Sequence, residues 1–349
     1  MPFIFYFLSH LSSGSSFFLS LLPPPPRMKA VLFIIACLIA AIVATPLTET
    51  QSQFLFTKFV EQYNKQYETR EFFTKYQTFK NNLGLIVAHN AKESSFKMAV
   101  NKFADMTPEE FGKLMGLRTN IAQPTALAAL QMPVTGVEVS PIDWRTKNVV
   151  NPVKDQGQCG SCWAFSTMSI LESRSAIATG KLYDLAEQQL VDCAGSAGNY
   201  GCNGGLMTSG YEYLIKNKGA CLTKDYPYTA TDGKCKHCTP EVTLKSYKTI
   251  APTQQAHQEA LQTGPVAIAL AASSAAFQFY TSGVLTDCTD TEIDHAVSLV
   301  GWAASGNTKY WIVRNSWGPS WGSSGYINIA FANNPCAITT CTFDAIPVV

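Results

Sequence analysis

The sequence predicts an α+β fold, with helical segments first and strands after them. Residues 45 to about 137 are charged and helical in texture, and a second helical pattern runs from Cys162 to about Ile177. From about residue 245 the chain turns to apolar and β-branched runs separated by turn residues. Eleven cysteines in 349 residues are many for a cytosolic protein and point to an oxidising route through the secretory pathway. The length leaves room for two lobes plus accessory segments. A net charge of +1 gives no reason to expect a nucleic-acid partner.

Residues 28–44 read as a signal peptide. Arg27 and Lys29 give a charged start, the apolar run falls short of a membrane span, and small Ala44 precedes Thr45 and Pro46 at a plausible cleavage point. Residues 1–27 are apolar and Ser-rich and close on Pro23 to Pro26, so they are expected to be an upstream extension ahead of a natural start at Met28. No membrane attachment is expected once the signal is removed.

Within 45–137, Phe72, Tyr76, Phe79, Leu83 and Ile86 recur at spacings of three and four, which is one apolar face of a long helix. Residues 119–140 are rich in Ala, Pro, Thr and Val without sustained periodicity. They are expected to form an exposed linker, open to proteolytic nicking. Residues 45–137 carry 10 basic and 8 acidic side chains, and 138–349 carry 14 and 17, so the pieces have opposite net sign. Acid should weaken their attraction by protonating carboxylates.

Gln156-Gly157-Gln158-Cys159-Gly160-Ser161-Cys162-Trp163 sets a cysteine where a loop becomes a helix. The positive end of the helix dipole favours the nucleophilic thiolate there. Phe165, Met168, Leu171 and Ile177 are expected to supply the buried stripe, and Gly180 the stop. Leu185 to Cys193 reads as a short helix running into a loop. In the loop Gly201-Cys202-Asn203-Gly204-Gly205-Leu206-Met207 the glycines let backbone lie close to an extended chain. Expected strands are Val266–Leu270, Ile293–Trp302, Tyr310–Gly318 and Gly325–Ile329. His257, in a polar helical stretch, is expected to be solvated. His295 opens an apolar strand, where a polar ring needs a partner. Cys159-x-x-Cys162 alone leaves redox and zinc readings open. Cys235-x-x-Cys238, with His237 inside, has no second ligand cluster, which favours disulfides over zinc.

Cys159-Gly160-Ser161-Cys162-Trp163 resembles the signature of the papain/cathepsin cysteine proteases. His295 and Asn315 follow Cys162 at close to that family's offsets. Asn315-Ser316-Trp317-Gly318, and Trp321-Gly322 with Gly325-Tyr326, match its surroundings. Upstream, Glu71, Lys75, Phe79, Asn82, Ile86 and Asn90 resemble the interspersed E-R-F-N-I-N pattern of cathepsin L-type propeptides. Lys75 stands where the pattern has Arg, which weakens one fork-type contact. Ala99-Val100-Asn101-Lys102-Phe103-Ala104-Asp105 resembles the second propeptide motif, with Ala99 in place of Gly.

The resemblance covers nearly everything from about Phe54 onward. It implies a papain-like two-lobe fold: a helical lobe with Cys162, a β-barrel-like lobe with His295 and Asn315, and a cleft between them. It implies a cathepsin L-like zymogen, with 45–137 the inhibitory propeptide and 138–349 the peptidase, starting near Val137 to Ser140. Cys162 would be the nucleophile in a thiolate–imidazolium pair with His295. Asn315 would orient the ring, Trp317 would cover their bond, and Gln156 would complete an oxyanion hole. Gly204 and Gly205 would line the substrate wall. Leu206 and Met207 would line the pocket for the second side chain before the scissile bond, Asp294 and Ala296 would bind substrate, and Cys341, a small neutral thiol, would stand at the base of that second pocket. That base argues for an apolar substrate side chain. Cys159–Cys202, Cys193–Cys235 and Cys288–Cys336 are the bridges implied, with Cys221–Cys238 a candidate fourth. The implied partners are peptide and protein substrates, the chain's own propeptide and cystatin-type inhibitors. The implied state is a monomer without cofactor or metal, lysosomal, vacuolar or secreted. The paired-histidine loop of cathepsin B-type exopeptidases is missing, which implies an endopeptidase. An inactive homologue would need the nucleophile or the histidine replaced, and both are intact.

Overall fold

Residues 47–119, 130–288, 290–341 and 344–349 are described by the structure, a computed structural model. The signal-peptide and upstream-extension readings lie outside the described residues. Helix α1 (Glu49–Gln62) starts at a capping box, in which Thr48 and Gln51 each accept the other's backbone N–H. Helix α2 (Thr69–Asn90) crosses it through aromatic rings. Phe56 lies 5.3 Å from both Tyr76 and Phe79, and Phe59 lies 5.0 Å from Phe79. Tyr76, Phe79, Leu83 and Ile86 are buried as their periodicity predicts, and each such side chain contributes about 1.5–3 kcal/mol. Phe72 stays 40% exposed, edge-on to Phe56 at the rim of the crossing.

The polar positions of α2 fasten the returning chain. Asn82 Nδ2 donates to the carbonyls of Ala104 and Met106, and Asn90 pairs with Met98 through both of its amide atoms. Strand β1 (Phe96–Met98) and helix α3 (Pro108–Gly112) are held in this way. Lys75 reaches both carboxylate oxygens of Glu110, each at 2.8 Å, so one ammonium makes the contact that a guanidinium fork would make.

The described end of the expected linker, from residue 130, carries a short strand, and another follows it. Leu130–Gln131 form strand β2, and Ile142–Asp143 form β3. Helix α4 (Cys162–Thr179) stops at Gly180, whose φ of 76° suits glycine. Its burial is nearly all-round rather than a stripe, because α5 (Glu187–Cys193), α6 (Met207–Lys216) and a sheet surround it. Ile177 is exposed, lying in the last turn beyond that packing.

The strand-rich part holds β4 (Ser246–Thr249), α7 (Gln254–Leu261), β5 (Val266–Leu270), α8 (Ala275–Gln278), β6 (Tyr280–Gly283), β7 (His295–Ser305), β8 (Thr308–Arg314), β9 (Tyr326–Ala330) and β10 (Ala345–Val348). The sheet order is β2-β4-β10-β5-β7-β8-β9, with β3 also on β7. β1 pairs antiparallel with β6, Phe96 opposite Gly283, so a two-stranded ribbon docks the N-terminal unit. β8 ends at Arg314, and Asn315 to Gly318 leave the ladder rather than extend it.

Among the described residues four disulfides form: Cys159–Cys202, Cys193–Cys235, Cys221–Cys238 and Cys288–Cys336. Cys235 and Cys238 bond different partners, so neither sulfur is left for a zinc reading. Among the described residues no helix is long and apolar enough to cross a membrane.

His257 is not solvated. It lies on the buried face of α7, where Nε2 is 2.8 Å from Asp344 Oδ2 and Nδ1 is 2.7 Å from the Thr253 carbonyl. Asp344 Oδ1 also accepts the Ala269 N–H. Burial raises the Asp344 carboxyl against the opposing pull of His257. Replacing Asp344 with Ala should strand a buried imidazole and cost about 3 kcal/mol. Urea unfolding of D344A would show this as a lower midpoint at unchanged slope, and a loss below about 1 kcal/mol would dismiss the pair as structural.

Candidate active site

Cys162 is the first residue of α4, and its Sγ accepts the Ala296 N–H at 3.4 Å. The β5–β7 register sets His295 opposite Leu270, at the start of β7. The imidazole stacks on Trp317, with ring centroids 4.7 Å apart. Asn315 Oδ1 lies 2.8 Å from His295 Nε2 and also accepts the Ser316 backbone N–H at 2.8 Å. A backbone N–H can only donate, so this second contact identifies the amide oxygen. Nε2 must then carry the proton, and the ring's lone pair is on Nδ1. Nδ1 has no hydrogen-bond partner among the described residues.

Gln156 is buried and held on both sides. Its Oε1 accepts the Ser316 hydroxyl at 2.7 Å, and its backbone N–H donates to the Ser316 carbonyl at 2.8 Å. Nε2 is thereby aimed at the carbonyls of Leu114 (3.0 Å) and Cys159 (2.9 Å). The Tyr228 hydroxyl donates to the Gln156 carbonyl at 2.8 Å and lies 2.7 Å from Ser161 Oγ, pinning both ends of the 156–161 loop. Sequence reasoning missed Ser316 and Tyr228. The first sits inside a motif read for its neighbours, and the second has no local pattern.

Residues 114–118 fill the cleft. Gly116 O accepts the Gly205 N–H at 2.9 Å, Arg118 N–H donates to Gly205 O at 3.1 Å, and Leu117 N–H donates to Asp294 O at 3.0 Å. The pairing of Leu117 with Gly205 is parallel. Gly204, at φ 106°, has no room for a side chain: a Cβ would stand 2.8 Å from Gly116 O. Leu117 joins the buried apolar cluster that contains Leu206, Met207, Ala296 and Cys341. Asp294 contributes its main chain to the cleft. Its carboxylate turns away to the Ala272 N–H (2.8 Å) and the Ser273 hydroxyl. Phe103 and Phe111 set their edges on Trp317, each 5.3 Å away.

Burial acts on the charge of both reacting groups. Burial pushes the Cys162 thiol up to about 12, against the pull of the Ala296 and Gly116 N–H groups. Burial pushes His295 down to about 4, against Asn315. Both shifts disfavour the charged forms of the thiolate–imidazolium pair while the site is buried.

The fold and site define a cysteine protease with its inhibitory segment in place. Residues 139–346 match the papain family cysteine proteases, and residues 56–111 match the cathepsin propeptide inhibitor domain (I29). The chain belongs to the papain family and is a cysteine-type endopeptidase of the cathepsin-like group. It is similar to pro-cathepsin H of Bos taurus, 41% identical over 307 residues (85% of this chain, 91% of the relative). It is similar to digestive cysteine proteinase 2 of Homarus americanus, 40% identical over 292 residues (81% and 83%). The solved structure of digestive procathepsin L 3 from Tenebrio molitor larval midgut matches with a TM-score of 0.78 at 34% identity, covering 85% of this chain and 99% of that one.

Two outcomes follow. Ultraviolet thiolate absorbance, wild type minus Cys162→Ser, should show no thiolate in the intact zymogen at neutral pH and one after the N-terminal unit is removed. Equal absorbance in both would dissociate the cover from the thiol. Gly116→Ala would place a Cβ 1.8 Å from Gly160 O, so the intact zymogen should leak at least about tenfold more activity, equivalent to about 1.4 kcal/mol of lost inhibition.

Proposed function

We propose that Cys162 hydrolyses peptide bonds through a thioester acyl-enzyme and that residues 45–137 keep it latent until acid loosens them. The carrying observation is the Leu114 carbonyl, which accepts from Gln156 Nε2 beside Cys162 as a peptide oxyanion would. In this reading His295 Nδ1 takes the thiol proton as Sγ attacks the carbonyl carbon, and returns it to the leaving amine. Asn315 keeps the proton on Nε2. Gln156 Nε2 and the Cys162 N–H stabilise the oxyanion. Water then opens the thioester by the reverse proton route. Each step is carried by groups of this chain.

Substrate main chain would lie along Gly204, Gly205 and the Asp294 carbonyl. Its second side chain before the cut would enter the apolar pocket of Leu206, Met207, Ala296 and Cys341. Residues 138–349 form the peptidase unit, which acts as a monomer in a lysosome, a vacuole or outside the cell, and cystatin-type inhibitors would compete for the same cleft.

Acid activation has a physical basis in the prosegment. Lys80 and Tyr76 hold Glu49 below its ordinary 4.5. Burial pushes Glu110 up, but Lys75 and the Thr107 N–H outweigh it and hold that group low too. A depressed carboxylate stabilises the fold above its ordinary value, and that contribution is lost as pH falls through the folded value. The prosegment should therefore loosen below about pH 4.5.

Acidified zymogen should shed its N-terminal segment and cleave a peptide with an apolar residue two before the cut, while Cys162→Ala stays inert. If both remain inert, even after clipping near residue 138 by another protease, the chain is an inactive homologue. Gln156→Ala should lower kcat about 100-fold with KM little changed. A change confined to KM would remove Gln156 from the oxyanion hole.

A further inference from the structure

Residues 130–140 do not hang loose between the two units. β2 pairs parallel with β4, and the Met132 N–H donates to the Thr249 carbonyl at 2.8 Å. The chain then runs along α7. Glu259 accepts the Thr135 N–H on one carboxylate oxygen and the Gly136 N–H on the other, both at 2.7 Å. Gly136 has a φ of 71°, a left-handed turn that lets successive N–H groups converge on one anion. One turn earlier, Gln255 Nε2 donates to the Val137 carbonyl at 2.8 Å and to Glu259 Oε1 at 2.9 Å. One turn later, Gln262 Nε2 donates to the Ser140 carbonyl at 3.1 Å. Positions 255, 259 and 262 share one face of the helix. Glu259 is 8% exposed, so these are charge-assisted contacts with little competing water. The Thr135 N–H and Gln255 hold its carboxyl down at about 2, which keeps it ionised in mild acid.

We propose that the Gln255–Glu259–Gln262 face of α7 is a main-chain binding site that keeps residues 135–140 on the catalytic domain after the propeptide leaves, and so sets where the mature chain begins. The proposal rests on the reading that the chain is cut between propeptide and peptidase. A protease cleft takes several extended residues on each side of the bond it cuts. A segment whose N–H groups at 135 and 136 and carbonyls at 137 and 140 are engaged on α7 cannot enter one. Trimming then stops ahead of Thr135, upstream of the start that the resemblance implies.

Glu259→Gln keeps the size of the side chain but sets an NH2 group against a backbone N–H, so one of the two contacts is lost. After acid processing, intact mass should place the wild-type N-terminus at or before Thr135. E259Q should be trimmed to between Val137 and Pro141, and Gln255→Ala should shift part of the population the same way. Identical N-termini in wild type and E259Q, or a wild-type chain starting after Gly136, would overturn the proposal. If the wild type does not process itself, the functional reading has failed instead. Thermolysin digestion of both zymogens then decides this proposal: wild type must keep residues 135–137 on the catalytic domain and E259Q must lose them.

Discussion

One main chain pressed against another holds this molecule in its present state. Gly116 lies so close to Gly160 that neither strand could pass the other with a side chain at residue 116. That approach lets the Leu114 carbonyl reach Gln156, puts Leu117 in the apolar cluster, and lines Arg118 up with Gly205. The remainder of the N-terminal unit aims this strand. The β1–β6 ribbon fixes its distance, and Phe103 and Phe111 seat it on Trp317. Lys102–Asp155 is an ion pair between the two units, and Asp155 is 47% exposed there, so the pair adds at most about 1 kcal/mol. Shape and main-chain pairing dominate over the opposite net charges.

The same cover sets the chemistry. A helix N-terminus favours a thiolate at Cys162, yet burial outweighs it in the closed zymogen. The imidazole is pushed the other way for the same reason. The strand occupies the cleft, and burial there disfavours the charged forms of both reacting groups. The bonds that orient the ring, from Asn315 and Ser316, involve no residue of the cover. Water can return to the site without the orienting groups having to move.

Local patterns were legible in the sequence and long-range ones were not. The α4 start at Cys162, its stop at Gly180 and the β5 boundaries follow from residue order alone. Cys162, His295, Asn315 and Gln156 were found because they sit in short motifs, and the structure brings their side chains into one cleft. The burial of His257 is not legible in the sequence, because its partner, Asp344, lies 87 residues away and a polar helix gives no sign of an inward histidine. β2, β3 and β10 are two to four residues long, too short for alternation to register. Residues 114–118 hold the cleft chiefly through backbone groups, with the Arg118 guanidinium the exception, so their side chains give little sign of the role. Nothing in residues 135–140 signals their main-chain recognition by Gln255, Glu259 and Gln262, because the groups recognised are backbone.

Ser316 shows why the two lobes must be placed together. Its backbone N–H fixes the Asn315 oxygen, its hydroxyl fixes Gln156 Oε1, and its carbonyl accepts the Gln156 N–H. Asp155 and Trp317 form an antiparallel bridge beside it, and the Gly318 N–H donates to the Lys154 carbonyl. Residues 154–156 precede the nucleophile helix, and 316–318 follow the strand that positions Asn315. Each buried hydrogen bond contributes only about 0.5–1.5 kcal/mol net, so together they add little to total stability. Their effect is geometric. A shift of one lobe would rotate the oxyanion donor and the orienting amide together, and a misplacement of about 1 Å can cost about 100-fold in rate. The cleft can therefore take a propeptide strand or a substrate in turn while Ser316 and the bonds around it keep its two walls tied together.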